Sequence, residues 1–179
     1  MKDIKGKKVA ILATNGFEEL ELTEPKKALE ENGATVTVIA PEKGRIKAWN
    51  HGEWSIEVEA DLKIDDARAG DYDALVLPGG VINPDKLRRV PSAIEFVRSF
   101  FDDNKIVAAI CHGPQLLIEA GVLKGRTMTS FHSIKTDLEN AGAEWIDSEV
   151  VEDGNLITSR NPGDLETFNK KILTRLSAE

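Results

Sequence analysis

The chain contains one cysteine, three histidines and few aromatic residues (6%). A lone cysteine cannot form an internal disulfide, so a reducing, cytoplasmic setting is expected. Three histidines far apart in sequence, with one cysteine, give no metal-ligand spacing, and neither a metal nor another cofactor is expected. Apolar runs are short: none approaches the ~18–20 residues that span a bilayer, so no membrane association is expected. The opening Met1–Lys8 lacks an apolar core and a small-residue cleavage site, so it does not read as a signal peptide. Basic residues are too few and too scattered for a phosphate-binding surface. The formal net charge is −8, which argues against nucleic acid as a partner. Pairs such as Lys7-Lys8 and Arg88-Arg89 read as solvated faces.

What remains is an ordinary globular composition, 41% hydrophobic and 30% charged over 179 residues. That length suits a single domain over 1–179, with a core of its own. Short apolar runs at Lys8–Ala13, Thr35–Ala40, Asp73–Leu77 and Lys105–Ile110 fit strands covered on both faces. Between them lie helical patterns at Glu18–Asn32, ended by Gly33, and Ala93–Phe101, with Ile94, Val97 and Phe101 on one side. Pro114–Ala120 reads as a helix with proline near its start and Gly121 at its end. Later elements are read at Thr127–Ser130, Lys135–Ala141, Glu149–Val151 and Leu156–Ser159. A final helix is read at Leu165–Leu176, with Asp164 as its cap. Gly44–Val58 breaks the alternation and reads as a β-hairpin set on the domain. Its Trp49 and Trp54 would either cover an oligomer interface or form a small local core. Alternating strands and helices imply an open, doubly wound, mostly parallel sheet flanked by helices, with this hairpin as an excursion.

The most informative segment is Ala108-Ala109-Ile110-Cys111-His112-Gly113-Pro114. An apolar strand runs into Cys111 and a helix starts almost at once, the arrangement of a nucleophile elbow. Gly113 would let the chain leave the turn without a Cβ clash. The nearby helix N-terminus would favour the thiolate. By itself a cysteine ending a buried strand is commonly an inert small hydrophobe; the strand–Cys-His-Gly–helix context carries the functional reading. His112 is adjacent, but neighbouring side chains on a tight turn usually diverge. Its backbone N–H is a candidate oxyanion donor, and Gly79 or Gly80 could supply a second. Pro78-Gly79-Gly80 could equally be no more than a turn.

At these residues the chain resembles the PfpI-type intracellular cysteine protease family, within the superfamily of the parkinsonism-associated protein deglycase. Ala109–Pro114 looks like the family's nucleophile segment. Four other segments agree in order: Gly16–Leu22, Leu75–Gly80, Thr129-Ser130 with Asn140-Ala141-Gly142, and Thr158-Ser159-Arg160. The likeness spans nearly the whole chain and implies a flavodoxin-like, class I glutamine amidotransferase-like fold. It implies that Glu21 reaches the Cys111 sulfur from the first helix. Glu18, one turn earlier, would share that face and join the site. An ionised carboxylate beside sulfur would repel the thiolate, so Glu21 is expected to have a raised pKa and to donate as a buried acid. Glu19 reads as an acidic residue favoured by the helix N-terminus. In the family's protease branch, the histidine beside the nucleophile pairs with an acidic residue from a neighbouring subunit. Asp85 takes that place here, one methylene shorter than the branch's glutamate, and the chain would act as a homo-oligomer, dimer or hexamer. The family's aromatic after Thr129-Ser130 is Phe131, a wall without a hydroxyl. His132 follows, either in the pocket or as a partly exposed loop residue. His51 in the hairpin has a weaker claim of the same kind.

The resemblance implies a cysteine-dependent, cofactor-independent enzyme acting on reactive carbonyls, of glyoxalase III or deglycase type. A cysteine peptidase using Cys111, His112 and Asp85 is the first alternative, with a peptide rather than a small carbonyl as substrate. A non-enzymatic redox sensor or chaperone is the second.

Overall fold

The computed structural model describes residues 3–178. Met1 and Lys2, part of the segment read for a leader, lie outside it, as does Glu179. Among the described residues twelve strands occur in chain order: β1 Lys8–Leu12, β2 Phe17–Glu18, β3 Thr35–Ala40, β4 Gly44–Asn50, β5 Glu53–Ala60, β6 Leu62–Lys63, β7 Ala74–Leu77, β8 Ile106–Ile110, β9 Thr127–Met128, β10 Glu144–Trp145, β11 Val150–Asp153 and β12 Leu156–Ser159. Six α-helices accompany them: α1 Glu19–Glu31, α2 Ile82–Leu87, α3 Pro91–Asp102, α4 Gln115–Ala120, α5 Lys135–Asn140 and α6 Leu165–Leu176.

Seven strands form the main sheet in the order β11-β12-β8-β7-β1-β3-β6. All neighbours pair in parallel except β11 and β12. The central strands β1, β7 and β8 are buried on both faces, which is why their sequences are continuous apolar runs. Alternate residues feed two cores. Leu12, Leu75, Leu77, Val107 and Ala109 face α2–α5. Val9, Ile11, Val76, Ala108 and Ile110 face α1, α6 and the hairpin. The strand order reverses between β1 and β7. Substrates of open α/β sheets bind at such a switch point, beyond the carboxyl ends of the strands.

The hairpin β4–β5 forms a separate three-stranded sheet with β2. Its two-residue turn, His51-Gly52, has positive φ at both positions (50° and 85°), as a tight primed hairpin requires. Trp49 and Trp54 meet edge to face with centroids 5.1 Å apart. Trp49 is half-buried and Trp54 is exposed, so the pair is only partly a local core.

Several elements depart from the sequence reading. The short α2, β6 and β10 carry too few residues for a periodic signal. In α3 the buried rings are Phe96 and Phe100; Phe101 is half-buried, beneath the Arg126 guanidinium. Asp164 sits at the N-cap position of α6 but makes no side-chain cap. Its carboxylate instead accepts from the Arg160 backbone N–H and guanidinium. Asn161 makes the local cap, accepting from the Gly163 N–H at 2.9 Å.

Candidate active site

Strand β8 delivers Cys111 at the switch point. Its φ of +61° lies in the left-handed region, which costs a non-glycine residue about 1 kcal/mol or more. Two backbone bonds hold it there. The Cys111 N–H donates to Ser159 O (3.1 Å), and Cys111 O accepts from the Phe131 N–H (3.0 Å). Next in the turn, a Cβ on Gly113 would lie 2.4 Å from Leu77 O, so only glycine fits. The thiol is 7% exposed.

Three segments converge on the sulfur. From α1 comes Glu21, fully buried, whose Oε2 accepts from the Gly79 N–H at 2.7 Å. Burial pushes its carboxyl up to about 8; the Gly79 N–H opposes this, Glu18 adds to it, and contact with the Cys111 thiol lowers it. At neutral pH Glu21 is therefore mostly the protonated acid. Its Oε1 is buried without a conventional hydrogen-bond partner, so a proton carried there is free to be donated.

The loop after β7 brings Gly79 and Gly80. The Gly79 N–H is committed to Glu21, whereas the backbone N–H groups of Gly80 and His112 both act on the sulfur. Gly79 fills a gap that admits no side chain: a Cβ there would lie 2.6 Å from Glu21 Oε2, 2.7 Å from Cys111 Cβ and 2.8 Å from His112 N. Gly80, with φ of +81°, packs against Gly16 O and the Glu18 N–H.

The third contributor is His112. Contrary to the expectation that it diverges from its neighbour, its Nδ1 lies 3.2 Å from Cys111 Sγ. The left-handed turn folds the two side chains to the same side. The ring stacks on Phe131, with centroids 4.9 Å apart. Burial lowers the pKa of His112, and His132 lowers it further.

A thiolate favoured by the helix N-terminus is not what the turn produces. Burial raises the Cys111 thiol, the Glu21 carboxylate raises it further when ionised, and the Gly80 and His112 N–H groups only partly offset both. Helix α4 begins four residues later, at Gln115, so Cys111 does not sit on its first turn. Thiol and carboxyl titrate as a pair. With Glu21 protonated, its repulsion of a thiolate vanishes and it becomes a donor instead.

The remaining candidates lie around this centre. Glu18 precedes α1 and is half-buried. Burial raises its pKa, His51 lowers it and Glu19 raises it. It lines a cleft of about 400 Å³ with Leu20, Trp49, Asn50, His51 and Pro162. Phe131 and the exposed His132 line a second cavity of about 310 Å³, with Trp145, Asp147, Arg160 and Asn161. The two cavities flank the Arg160–Pro162 turn. Asp85 stands exposed on the first turn of α2 and, among the described residues, makes no bond to His112.

Two residues escaped the sequence reading. Ser133 Oγ lies 3.1 Å from His112 Nε2. Asn83, fully buried, accepts from the Thr14 N–H (2.8 Å) and donates to Pro78 O (3.0 Å) and Gly79 O (3.2 Å). It ties the Gly79-Gly80 turn to the end of β1. Nothing in sequence marks either residue: Ser133 follows a short loop, and Asn83 sits in an Asn-Pro pair that reads as a turn.

A doubly wound sheet with a cysteine on a strained strand-to-helix turn, backed by a buried acid and a glycine turn, defines a class of α/β proteins with a thiol at the carboxyl edge of the sheet. The DJ-1/PfpI family model matches residues 7–175, and the chain belongs to that family. It is 47% identical to General stress protein 18 of Bacillus subtilis over 172 residues, 96% of this chain and 98% of that one. It is 46% identical to Deglycase PfpI of Pyrococcus furiosus over 169 residues, 94% of this chain and 99% of that one. Among solved structures, a two-domain Anabaena variabilis protein with DJ-1/ThiJ/PfpI-like and ferritin-like domains superposes with a TM-score of 0.91 at 43% identity. The match covers 95% of this chain and 48% of that longer one. Among the described residues, no helix is long and apolar enough to cross a membrane, and no cluster of three or more metal-binding side chains occurs.

Proposed function

We propose that the protein is a cofactor-independent enzyme that converts reactive α-oxoaldehydes to hydroxy acids, methylglyoxal to lactate being the simplest case, with repair of glycated groups as the related deglycase activity. The observation that carries this reading is the acid–thiol pair: Glu21, held by Gly79 and protonated at neutral pH, against Cys111. Neutral His112 takes the thiol proton on Nδ1 as Cys111 Sγ attacks the aldehyde carbon. The C–S bond forms, the carbonyl π pair moves to oxygen, and the Gly80 and His112 N–H groups receive that oxyanion. Protonation of the oxyanion, by Glu21 or by the His112 imidazolium, gives a hemithioacetal and leaves that donor as a base. Glu21 or His112 then moves the proton from the former aldehyde carbon, through an enediol, to the adjacent carbon. The product is a lactoyl thioester on Cys111. Water hydrolyses it, releasing lactate and restoring the thiol, so one water is consumed per turnover. Relatives named deglycase and general stress protein fit such a protective role. A reducing cytoplasmic location and a homo-oligomer belong to the same proposal.

A cysteine peptidase is the second reading, favoured by one observation: the imidazole lies within hydrogen-bond reach of sulfur. The redox-sensor reading needs an accessible, acidic thiol. Cys111 is 7% exposed and its thiol is raised, which gives that reading less support.

The deciding measurement is lactate formed from methylglyoxal by the purified protein and by Cys111→Ala, with casein cleavage in parallel. Lactate production lost in the variant, without casein cleavage, supports the carbonyl reading. Cysteine-dependent casein cleavage without lactate would replace it with the peptidase.

A further inference from the structure

The turn after β7 must be built from glycine and must also be rigid, and glycine supplies only the first. A Cβ on Gly79 would strike Glu21, Cys111 and His112, and one on Gly80 would lie 2.5 Å from Gly16 O. Neither position can carry a side chain that packs and holds its peptide plane. Yet both planes present an N–H to the site: the Gly79 N–H donates to Glu21 Oε2 (2.7 Å), and the Gly80 N–H acts on the Cys111 sulfur. In a trans peptide unit the C=O and the N–H point in opposite directions, so whatever holds the carbonyl aims the amide. The carbonyls of these two units are Pro78 O and Gly79 O. Asn83 Nδ2 carries two N–H donors and reaches both, at 3.0 Å and 3.2 Å. Its Oδ1 accepts from the Thr14 N–H at 2.8 Å. A backbone N–H only donates and a backbone carbonyl only accepts, so the three partners fix which end of the side-chain amide is nitrogen. Asn83 is fully buried, and Thr14, two residues beyond β1, anchors it to the central sheet. The Glu18 N–H gives Gly79 O a further donor at 3.3 Å, so the second plane is held from two sides.

We propose that Asn83 is a positioning residue whose side-chain amide clamps the two consecutive peptide units 78–79 and 79–80, aiming the Gly79 N–H at Glu21 and the Gly80 N–H at Cys111. Asn83 acts through the two glycines and not on the sulfur itself. The proposal rests on the reaction proposed above only for the use of the Gly80 N–H as an oxyanion donor. Without the clamp the 78–79 unit turns more freely, because glycine opposes little rotation. The 79–80 unit keeps the Glu18 N–H and loosens less.

The test uses the full-length protein, labelled with 15N and read by amide hydrogen exchange. Asn83→Ala removes the side-chain amide. Asn83→Asp keeps an acceptor for the Thr14 N–H but turns an acceptor, not a donor, towards the two carbonyls. Leu176→Ala, fully buried at the end of α6, is the control that loses stability without touching the turn. Relative to the core amides of β7, exchange of the Gly79 N–H should quicken about tenfold in both Asn83 variants. Exchange of the Gly80 N–H should quicken less. In Leu176→Ala both amides should follow the core. The second readout is alkylation of Cys111 by iodoacetamide in the Glu21→Gln background, which removes the buried carboxyl beside the sulfur. Adding Asn83→Ala should slow it about threefold, the smaller share of thiolate being partly offset by its greater nucleophilicity. Exchange of the Gly79 N–H that rises only in step with the core overturns the proposal. So does an alkylation rate that Asn83→Ala changes no more than Leu176→Ala does. Neither readout involves carbonyl turnover, so absence of lactate would sink the proposed reaction alone.

Discussion

Replacing Glu21 with glutamine should sharply lower turnover and at the same time make the protein more stable at neutral pH. The carboxyl is raised by burial from 4.5 to about 8. Because the folded-state pKa lies above the unfolded one, its full contribution to stability is present below pH ~4.5 and is lost as pH rises through about 8. At ~1.36 kcal/mol per unit, the loss is about 3 kcal/mol at pH 7 and about 5 kcal/mol above pH 9. Glutamine keeps an acceptor for the Gly79 N–H, has nearly the same shape and carries no charge, so Glu21→Gln escapes this loss. For a chain of this size 3 kcal/mol corresponds to a rise in Tm of about 6–12 °C at pH 7, and little change at pH 4.5. The assay is urea unfolding of both proteins at a pH of about 4.5, 6 and 7.5. Titration of His112 and Cys111 is common to both proteins and largely cancels in the difference. Turnover should meanwhile fall ~10²–10⁴-fold, the usual contribution of a positioned acid–base group. A stability difference that stays constant with pH would refute the reasoning, because the buried carboxyl would then be ionised in the folded protein.

Other changes have equally definite outcomes. Gly79→Ala drives a methyl between Glu21, Cys111 and His112; turnover should fall more than ~100-fold, with a stability loss of only about 1–3 kcal/mol, read by kinetics and denaturation. Asn83→Ala leaves the buried Thr14 N–H and Pro78 O without their partner, while Gly79 O keeps the Glu18 N–H, and should cost about 2–3 kcal/mol in unfolding experiments. Because His132 lowers the pKa of His112, His132→Gln should move the acid limb of the alkylation–pH profile of Cys111 to higher pH.

Much of the fold can be read from local sequence because its signals are long or doubly buried. The runs at β1, β7 and β8 are continuous where helices cover both faces, and α6 spans the expected residues, Leu165–Leu176. The elbow was legible because the turn forces its own chemistry: a glycine where a Cβ would strike Leu77 O, next to a strand that ends in cysteine. The side-chain directions were not legible. His112 turns towards sulfur because Cys111 adopts φ of +61°, and no local pattern encodes that angle for a cysteine. Nor could the thiol's protonation be read locally. The helix N-terminus suggests a thiolate, but burial of the sulfur sets the balance the other way. Ser133 and Asn83 matter only through contacts across the switch point, made after the chain has folded.

The site at rest is therefore electrically quiet: a thiol, a neutral imidazole and a protonated carboxyl within a few ångströms. Each group's burial disfavours its charged form, so none becomes reactive alone. In the reaction proposed above, a carbonyl entering beside Sγ changes this, because the proton leaving sulfur passes to His112 Nδ1 while negative charge moves on to the substrate oxygen, towards the Gly80 and His112 N–H groups. The strained turn at Cys111 and the methyl-proof gap at Gly79 are what hold those N–H groups in place beforehand. A thiol kept protonated until substrate arrives is also poorly exposed to peroxide, since oxidation proceeds through the thiolate. The same burial that makes the acid–thiol pair costly to the fold thus shields the Cys111 thiol from oxidation.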